Sequence, residues 1–282
     1  MKTMTRHMTM TLAAALLLSL GACVKDDLRH TPHPGQGVAA VAVNPPACMD
    51  QVDFAVEIDG ETIAGREGRY AVSGPLPPGD YAALAYNRPR GFTFGDGVAG
   101  VEPSGDTPGL IAPLPDPLYS GVKRMTLAAD DTTRVDLDVA RRNRDLHIEL
   151  TVTEGDPERI AAVSGTLSGV ARAYDLYREE PTGEAAAACP TFTRGGDKVS
   201  ADLRLLGTGG EGQALTLVIT FTDGLTRTVE SDLTEALAGF GEGDMTRPFT
   251  IAGSLHVPTE ATPGGCTITD WLPGGSGGGS AQ

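Results

Sequence analysis

One tryptophan, Trp271, stands among 282 residues, and aromatic residues make up only 5% of the chain. Sugar-binding platforms lean on exposed aromatic faces, so this thin supply weakens a carbohydrate-binding role and leaves Trp271 to close a core beside a last strand. Basic residues are short as well: 22 Lys and Arg stand against 37 Asp and Glu, a formal net charge of −15. That balance repels phosphate backbones and anionic lipid, which argues against nucleic acid as a partner. The four cysteines, Cys23, Cys48, Cys189 and Cys266, show no CxxC spacing, so no zinc site is written in them. Long apolar runs are missing apart from Leu12 to Leu20, which is too short to span a bilayer comfortably.

The usual signatures of catalysis are missing too. "GGSGG" at 274–278 fits the nucleophile-elbow string, but Ser276 lacks the strand before it and the helix after it that would expose and activate a nucleophile. "GTGGEGQ" at 207–213 has no Lys-Ser or Lys-Thr pair, so it reads as a hairpin turn and not as a phosphate cradle. His30 and His33 lie in a proline-broken linker without further ligands, and His147 and His256 fall on the polar sides of predicted strands. "ADDTT" at 129–133 reads as a turn entering a strand, since a calcium loop needs regularly spaced oxygen ligands. No catalytic residue, metal site or cofactor is expected.

What is present begins at the N-terminus. Lys2 and Arg6 precede the apolar run, and small residues follow it, the layout of a secretory signal peptide over 1–22. Leu20-Gly21-Ala22-Cys23 resembles a bacterial lipobox, with cleavage between Ala22 and Cys23 and acylation of Cys23. Two or more acyl chains give stable attachment, so the expectation is a chain tethered to a membrane without spanning it. Lys25-Asp26-Asp27 resembles an acidic surface-export signal, which places the protein on the outer membrane, facing outward.

Gly 37 and Pro 20 together exceed a fifth of the residues while apolar residues still reach 40%, a balance that suits many turns around a core of strands. Alternation with period two recurs throughout. It places Val52, Phe54, Val56 and Ile58 on one face, then Tyr81, Ala83 and Ala85, then Val135, Leu137 and Val139, then Leu146, Ile148, Leu150 and Val152. Further strands are read in "VSGTLSGVARAY", "DKVSADLRLLG", "QALTLVITFTDG", "RPFTIAGSLHVP" and "GGCTITDW". One short helix is expected in "SDLTEALAGF": Asp232 and Glu235 fit a capping box, and Leu233, Ala236, Leu237 and Phe240 recur at helical spacing.

This reading gives an all-β fold of two tandem antiparallel sandwiches, the second with one short helix. A lipidated linker covers 23–36, an N-terminal sandwich 37–141, a C-terminal sandwich 142–272 and a flexible Gly/Ser tail 273–282. The boundary rests on "RRNR", Arg141 to Arg144, read as an exposed interdomain turn or, alternatively, a protease-sensitive site. A Cys189–Cys266 disulfide could staple the second half, although sequence cannot fix connectivity.

Taken together, the lipobox with "VKDDL", then "LPPGDYAALAYN", "ERIAAVSGTLSGVARAYDL", "LTLVITFTDG", "SDLTEALAGF" and "TITDW" with its Gly/Ser tail resemble the fimbrillin-related lipoproteins of Bacteroidota, and among them the FimB-like fimbrial anchor subunits. The resemblance implies transthyretin-like sandwiches, a lipid on Cys23 and a non-enzymatic role in a surface pilus. Its implied partners are fimbrial subunits, engaged by strand addition, and the outer membrane. Stalk subunits of such pili lose an N-terminal segment after an arginine. The candidates here, Arg29, Arg66 and Arg69, do not lie between the first strand "GVAAVAV" and the second, which favours an anchor. The competing expectations are a stalk or tip subunit, and a surface binding module for glycan or host protein with Tyr174 and Tyr177 exposed.

Overall fold

A computed structural model describes residues 35–276 apart from 48, 50–52, 64, 67–69 and 259–264. In "TTRVDLDVA" the strand β11 (Thr132–Asp138) turns Val135 and Leu137 inward and Arg134 and Asp136 outward, as its period-two pattern requires. It borders a four-stranded sheet ordered β11, β1 (Val38–Asn44), β5 (Tyr70–Val72) and β4 (Gly65–Arg66). Facing it is a five-stranded sheet of β12 (Ala140–Arg141), β10 (Tyr119–Leu127), β6 (Gly79–Tyr86), β2 (Ala55–Ile58) and β3 (Glu61–Ile63). Between them Ala39, Val41 and Val43 of β1 meet Val56, Ile58, Ala83, Ala85, Met125 and Leu127 in one core.

The second sandwich repeats the plan on a larger scale. One sheet runs β16 (Phe192–Gly195), β17 (Lys198–Leu205), β13 (Arg144–Glu154), β20 (Phe249–His256) and β21 (Thr267–Ser276). The other runs β19 (Thr226–Asp232), β18 (Ala214–Phe221), β14 (Ile160–Asp175), β15 (Glu180–Ala188) and β9 (Leu110–Ile111), and it also carries the hairpin of β7 (Phe92–Gly95) and β8 (Val98–Val101). Leu146, Ile148 and Leu150 of β13, which the sequence pattern put on one face, are fully buried in one core with Leu215, Leu217 and Ile219 of β18. Pairing is mostly antiparallel, with parallel pairs at β1–β11, β13–β20 and β15–β9.

The division at residue 141 needs correction. Strands β7, β8 and β9, all inside the expected N-terminal domain, belong to the second sandwich: β8 pairs with Ala173–Asp175 of β14, and β9 pairs with Ala187 and Ala188 of β15. The reason is the length of β14, sixteen residues, twice that of its neighbour β18. β18 covers Ile160–Leu167 only; Gly207–Gly209 then bond Gly169 and Ala171, and the end of that edge, Ala173–Asp175, is left for β8 to satisfy. A bulge at Gly169 (φ +72°) separates the halves; a Cβ there would stand 2.0 Å from the Gly212 carbonyl oxygen. "GTGGEGQ" is not a hairpin either, since it carries the chain from β17 in one sheet to β18 in the other.

Two further corrections concern the C-terminal part. The expected helix at 231–240 is a run of turns: β19 extends through Asp232, the Leu237 amide donates to the Leu233 carbonyl at 2.9 Å, and the next bonds close over three residues. Leu233, Ala236, Leu237 and Phe240 are all buried, as helical spacing predicted. Gly239 and Gly241 confine the segment to about two turns, too short to repay the nucleation of a helix. The tail expected from residue 273 begins later, because β21 runs through Ser276 and pairs with Phe249 and Thr250. Trp271, on the same strand, packs partly buried on the second core and donates its indole N–H to Ser231 Oγ at 2.7 Å.

Candidate functional site: the junction and the sheet edges

The stretch Arg141–Arg144 is not exposed: its four side chains are buried or partly buried at the junction of the sandwiches. Arg144 is 1% exposed. Its Nε donates to the Arg247 carbonyl at 2.8 Å, and Nη1 donates to those of Phe240 at 2.9 Å and Glu242 at 3.0 Å. The guanidinium lies 4.9 Å from the Phe249 ring centre and 6.0 Å from that of Phe240. Burial lowers its pKa from the ordinary guanidinium value, and the charge of Asp244 opposes the shift. A cation this buried holds because carbonyl lone pairs and ring faces replace water.

Its neighbours reach the other way. Asn143, fully buried, accepts from the Leu118 amide and donates to the Asp116 carbonyl, both at 3.0 Å. Arg142 donates from Nε to Ser120 Oγ at 2.9 Å and from Nη2 to the Ser120 carbonyl at 2.8 Å, pairs with Glu179 and lies over Tyr174. Asp145 accepts from both Arg141, at 2.9 Å, and Arg204, at 2.6 Å, while Arg204 also donates to the Pro115 carbonyl. Among the described residues, the buried side-chain polar atom without a partner is Arg141 Nε.

The other side chains singled out in the sequence do not converge on a reactive site. Ala22, Cys23, Arg29, His30, His33, Cys48 and Arg69 lie outside the described residues, and Arg66 ends β4. The Cys189–Cys266 bridge is not formed: both thiols are free, Cys189 exposed and 3.3 Å from Thr166 Oγ1, Cys266 buried with its pKa raised by desolvation. His147 pairs with Asp202 at 2.7 Å, and His256 approaches Glu154 at 3.9 Å. Tyr174, expected exposed, is 6% exposed; Tyr177 is partly buried, and its hydroxyl accepts from the Gly60 amide at 2.9 Å. No group of three or more His, Cys, Asp or Glu is placed to hold a metal among the described residues, and none of their helices is long and apolar enough to cross a membrane.

What the fold does offer is edges. Of the strands at sheet borders, β11, β19 and β21 reach seven residues or more. The Trp271–Ser231 bond joins β21 to β19. By contrast β1 is interior, with seven register pairs to β11 and three to β5. Sequence reasoning found β1 but missed the latch that Arg141–Arg144 form at the junction, whose signal was a basic cluster in an acidic chain just past a predicted strand.

A family model described as fimbrillin-A associated anchor proteins Mfa1 and Mfa2 matches residues 54–272. No curated protein matches the chain. Among solved structures, a proposed adhesin from Bacteroides ovatus superposes with a TM-score of 0.59 at 15% identity, over 85% of this chain and 97% of its own. The fimbrial anchor protein Mfa2 from Porphyromonas gingivalis gives 0.55 at 13% identity, over 84% and 96%. A proposed adhesin from Bacteroides thetaiotaomicron gives 0.51 at 13%, over 86% and 98%. At these identities the likeness is one of fold.

Proposed function

Because the chain belongs to the family of fimbrillin-A associated anchor proteins, we propose that it is a lipid-anchored subunit of the outer membrane that holds a surface fimbrium at its base. A fimbria-associated or adhesin-like role at the cell surface goes with that family; the anchoring, the lipid and the contact mode are the proposal. The lipid sits on Cys23 after cleavage behind Ala22. From there to the start of β1 the chain can reach at most roughly 50 Å when fully extended, enough to hold the sandwiches clear of the headgroups.

The observation that carries an anchor over a stalk subunit is the position of β1. It is an interior strand paired on both sides, and Pro45 to Phe54, between it and β2, contains no arginine. A subunit that keeps this strand keeps its first core closed. Contact with fimbrillin-like partners then falls to a border strand, where an incoming strand gains main-chain hydrogen bonds and alternate side chains fill pockets. No cofactor enters this function.

The test is the N-terminal mass of the protein from sheared fimbriae and from the membranes left behind. Intact, lipidated Cys23 in the membrane fraction with fimbrillin bound is the expected result. A new N-terminus after an internal arginine in the sheared fraction would make it a stalk or tip subunit instead.

A further inference from the structure

A cleft of about 710 Å³ opens where the two sandwiches meet, within the 300–1,000 Å³ range of small-molecule sites. Its floor is a fixed polar network. Tyr86 donates its hydroxyl proton to Glu57 Oε1 at 2.6 Å and accepts from Arg88 Nη2 at 3.2 Å, while the Arg88 guanidinium lies 5.6 Å from the Tyr86 ring centre. Glu57 is nine-tenths buried and lines the cleft floor. Burial, followed by the bond to Glu57, raises the Tyr86 pKa, so its proton stays in place.

The walls are two matching turns, one from each sandwich. Asp59-Gly60 joins β2 to β3, Asp96-Gly97 joins β7 to β8, and all four residues have positive φ, the geometry of two-residue type I′ hairpins. Each turn presents an exposed carboxylate beside the cleft. Between them stands Tyr177, whose hydroxyl accepts from Gly60; a Cβ on Gly97 would lie 2.5 Å from its ring. Phe94 stacks on Tyr86 at 5.1 Å, so a chain poor in aromatics gathers three of them here.

We propose that this cleft binds a short neutral oligosaccharide. Carboxylates and guanidinium groups both line it, Glu57, Asp59 and Asp96 together with Arg88 and Arg124. An anion meets the three carboxylates and the field of a chain at −15. A cation meets the two guanidiniums, and an apolar guest strips water from all five charges. Vicinal hydroxyls satisfy both signs without bringing a charge of their own, since each O–H donates to a carboxylate and accepts from a guanidinium N–H. The partly exposed rings of Tyr177 and Phe94 offer apolar surface for the C–H faces of a sugar.

The experiment is an array of defined neutral di- to tetrasaccharides, with sialylated, sulfated and amino-sugar oligomers alongside, probed with the full chain in detergent. The best neutral tetrasaccharide is then titrated calorimetrically. Neutral members bind, and Arg88→Ala and Asp96→Asn each weaken that binding about tenfold or more. Asp96 is exposed and Asn tolerates the positive φ there, so Asp96→Asn keeps the wild-type melting temperature, while Arg88→Ala, which takes a donor from Tyr86, is titrated at a temperature where circular dichroism shows it folded. A silent array, preference for charged oligomers, or affinity indifferent to both substitutions overturns the proposal. Copurification with fimbrillin is independent of this cleft, so failure here leaves the anchoring role standing.

Discussion

Arg144 opens β13 in the second sandwich and donates three hydrogen bonds to carbonyls between Phe240 and Arg247, almost a hundred residues on in the chain. Its neighbour Asn143 bonds the chain at 116–118 on the other side. Two consecutive residues therefore fix the exit from one sandwich to the turns that close the other. Arg144→Ala leaves the buried Phe240 carbonyl and the part-buried carbonyls of Glu242 and Arg247 without this donor, and a buried acceptor stranded in this way costs about 1–3 kcal/mol. Arg144→Lys keeps the charge but loses the planar fork, and it recovers only part of that. Urea denaturation of the three proteins checks the order: wild type, then Lys, then Ala.

Trypsin gives a second reading of the same stretch. Native chain is expected to resist cleavage at 141–144, because Asn143 and Arg144 have almost no exposed surface, and an open loop is what a protease needs. Mass mapping of a brief digest that finds early cuts after Arg142 or Arg144 would contradict the latch.

The sequence told most where a strand has one wet face. Val135 and Leu137 alternate with Arg134 and Asp136, and the pattern alone placed them. It told least where both faces are covered. Ala83 and Ala85 of β6 enter the first core while Leu84 and Tyr86, on the opposite face, enter the second; "YAALAY" shows no polar residue by which to tell the sides apart. At Arg141–Arg144 charge was read as exposure, because nothing local announces that carbonyls near residue 240 wait for a donor. At 231–240 the apolar spacing predicted burial correctly and hydrogen bonding wrongly, since several kinds of turn can bury the same four side chains. The cleft was invisible for a related reason: Glu57 and Tyr177 are 120 positions apart, and only the packing of the sandwiches joins them.

Alkali should unfold the protein through its tyrosines. Burial raises the pKa values of Tyr86, Tyr174 and Tyr177 above 10.0, so the native state holds phenolic protons that the unfolded chain releases first. Their contribution is complete below pH 10 and is lost as pH climbs through the raised values. Asp223, Asp232 and Asp244 act in the opposite sense: backbone and side-chain donors lower their pKa values below 3.8, so their contribution is present above that pH and fades in stronger acid. Melting temperatures from pH 2 to 12 should fall at both ends, and Tyr174→Phe should flatten the alkaline limb.

The free thiols are distinguishable by reagent. Cys189 is exposed and Cys266 buried with a raised pKa, and the thiolate is the reactive form. Brief iodoacetamide treatment of native protein should mark Cys189 in peptide maps and leave Cys266 unmarked until denaturant is added. Equal labelling of both, or protection of both by a bridge, would contradict the structure.

Load entering through the residues ahead of β1 meets a favourable geometry. β1 and β11 run parallel, in register from Val38–Thr132 to Asn44–Asp138. Tension that arrives at the Val38 end of β1 and leaves from the Asp138 end of β11 acts on opposite ends of the pair. All the hydrogen bonds between them are then sheared together, and none can fail singly. Handles at residue 35 and on the second sandwich apply this direction; handles at residues 35 and 131 pull the two starting ends apart and open the same pair one bond at a time. Single-molecule pulling should therefore record a rupture force several-fold higher in the first arrangement. Equal forces would mean that some other contact yields first, and that β1 is held by its side chains in the core more than by its partner strand.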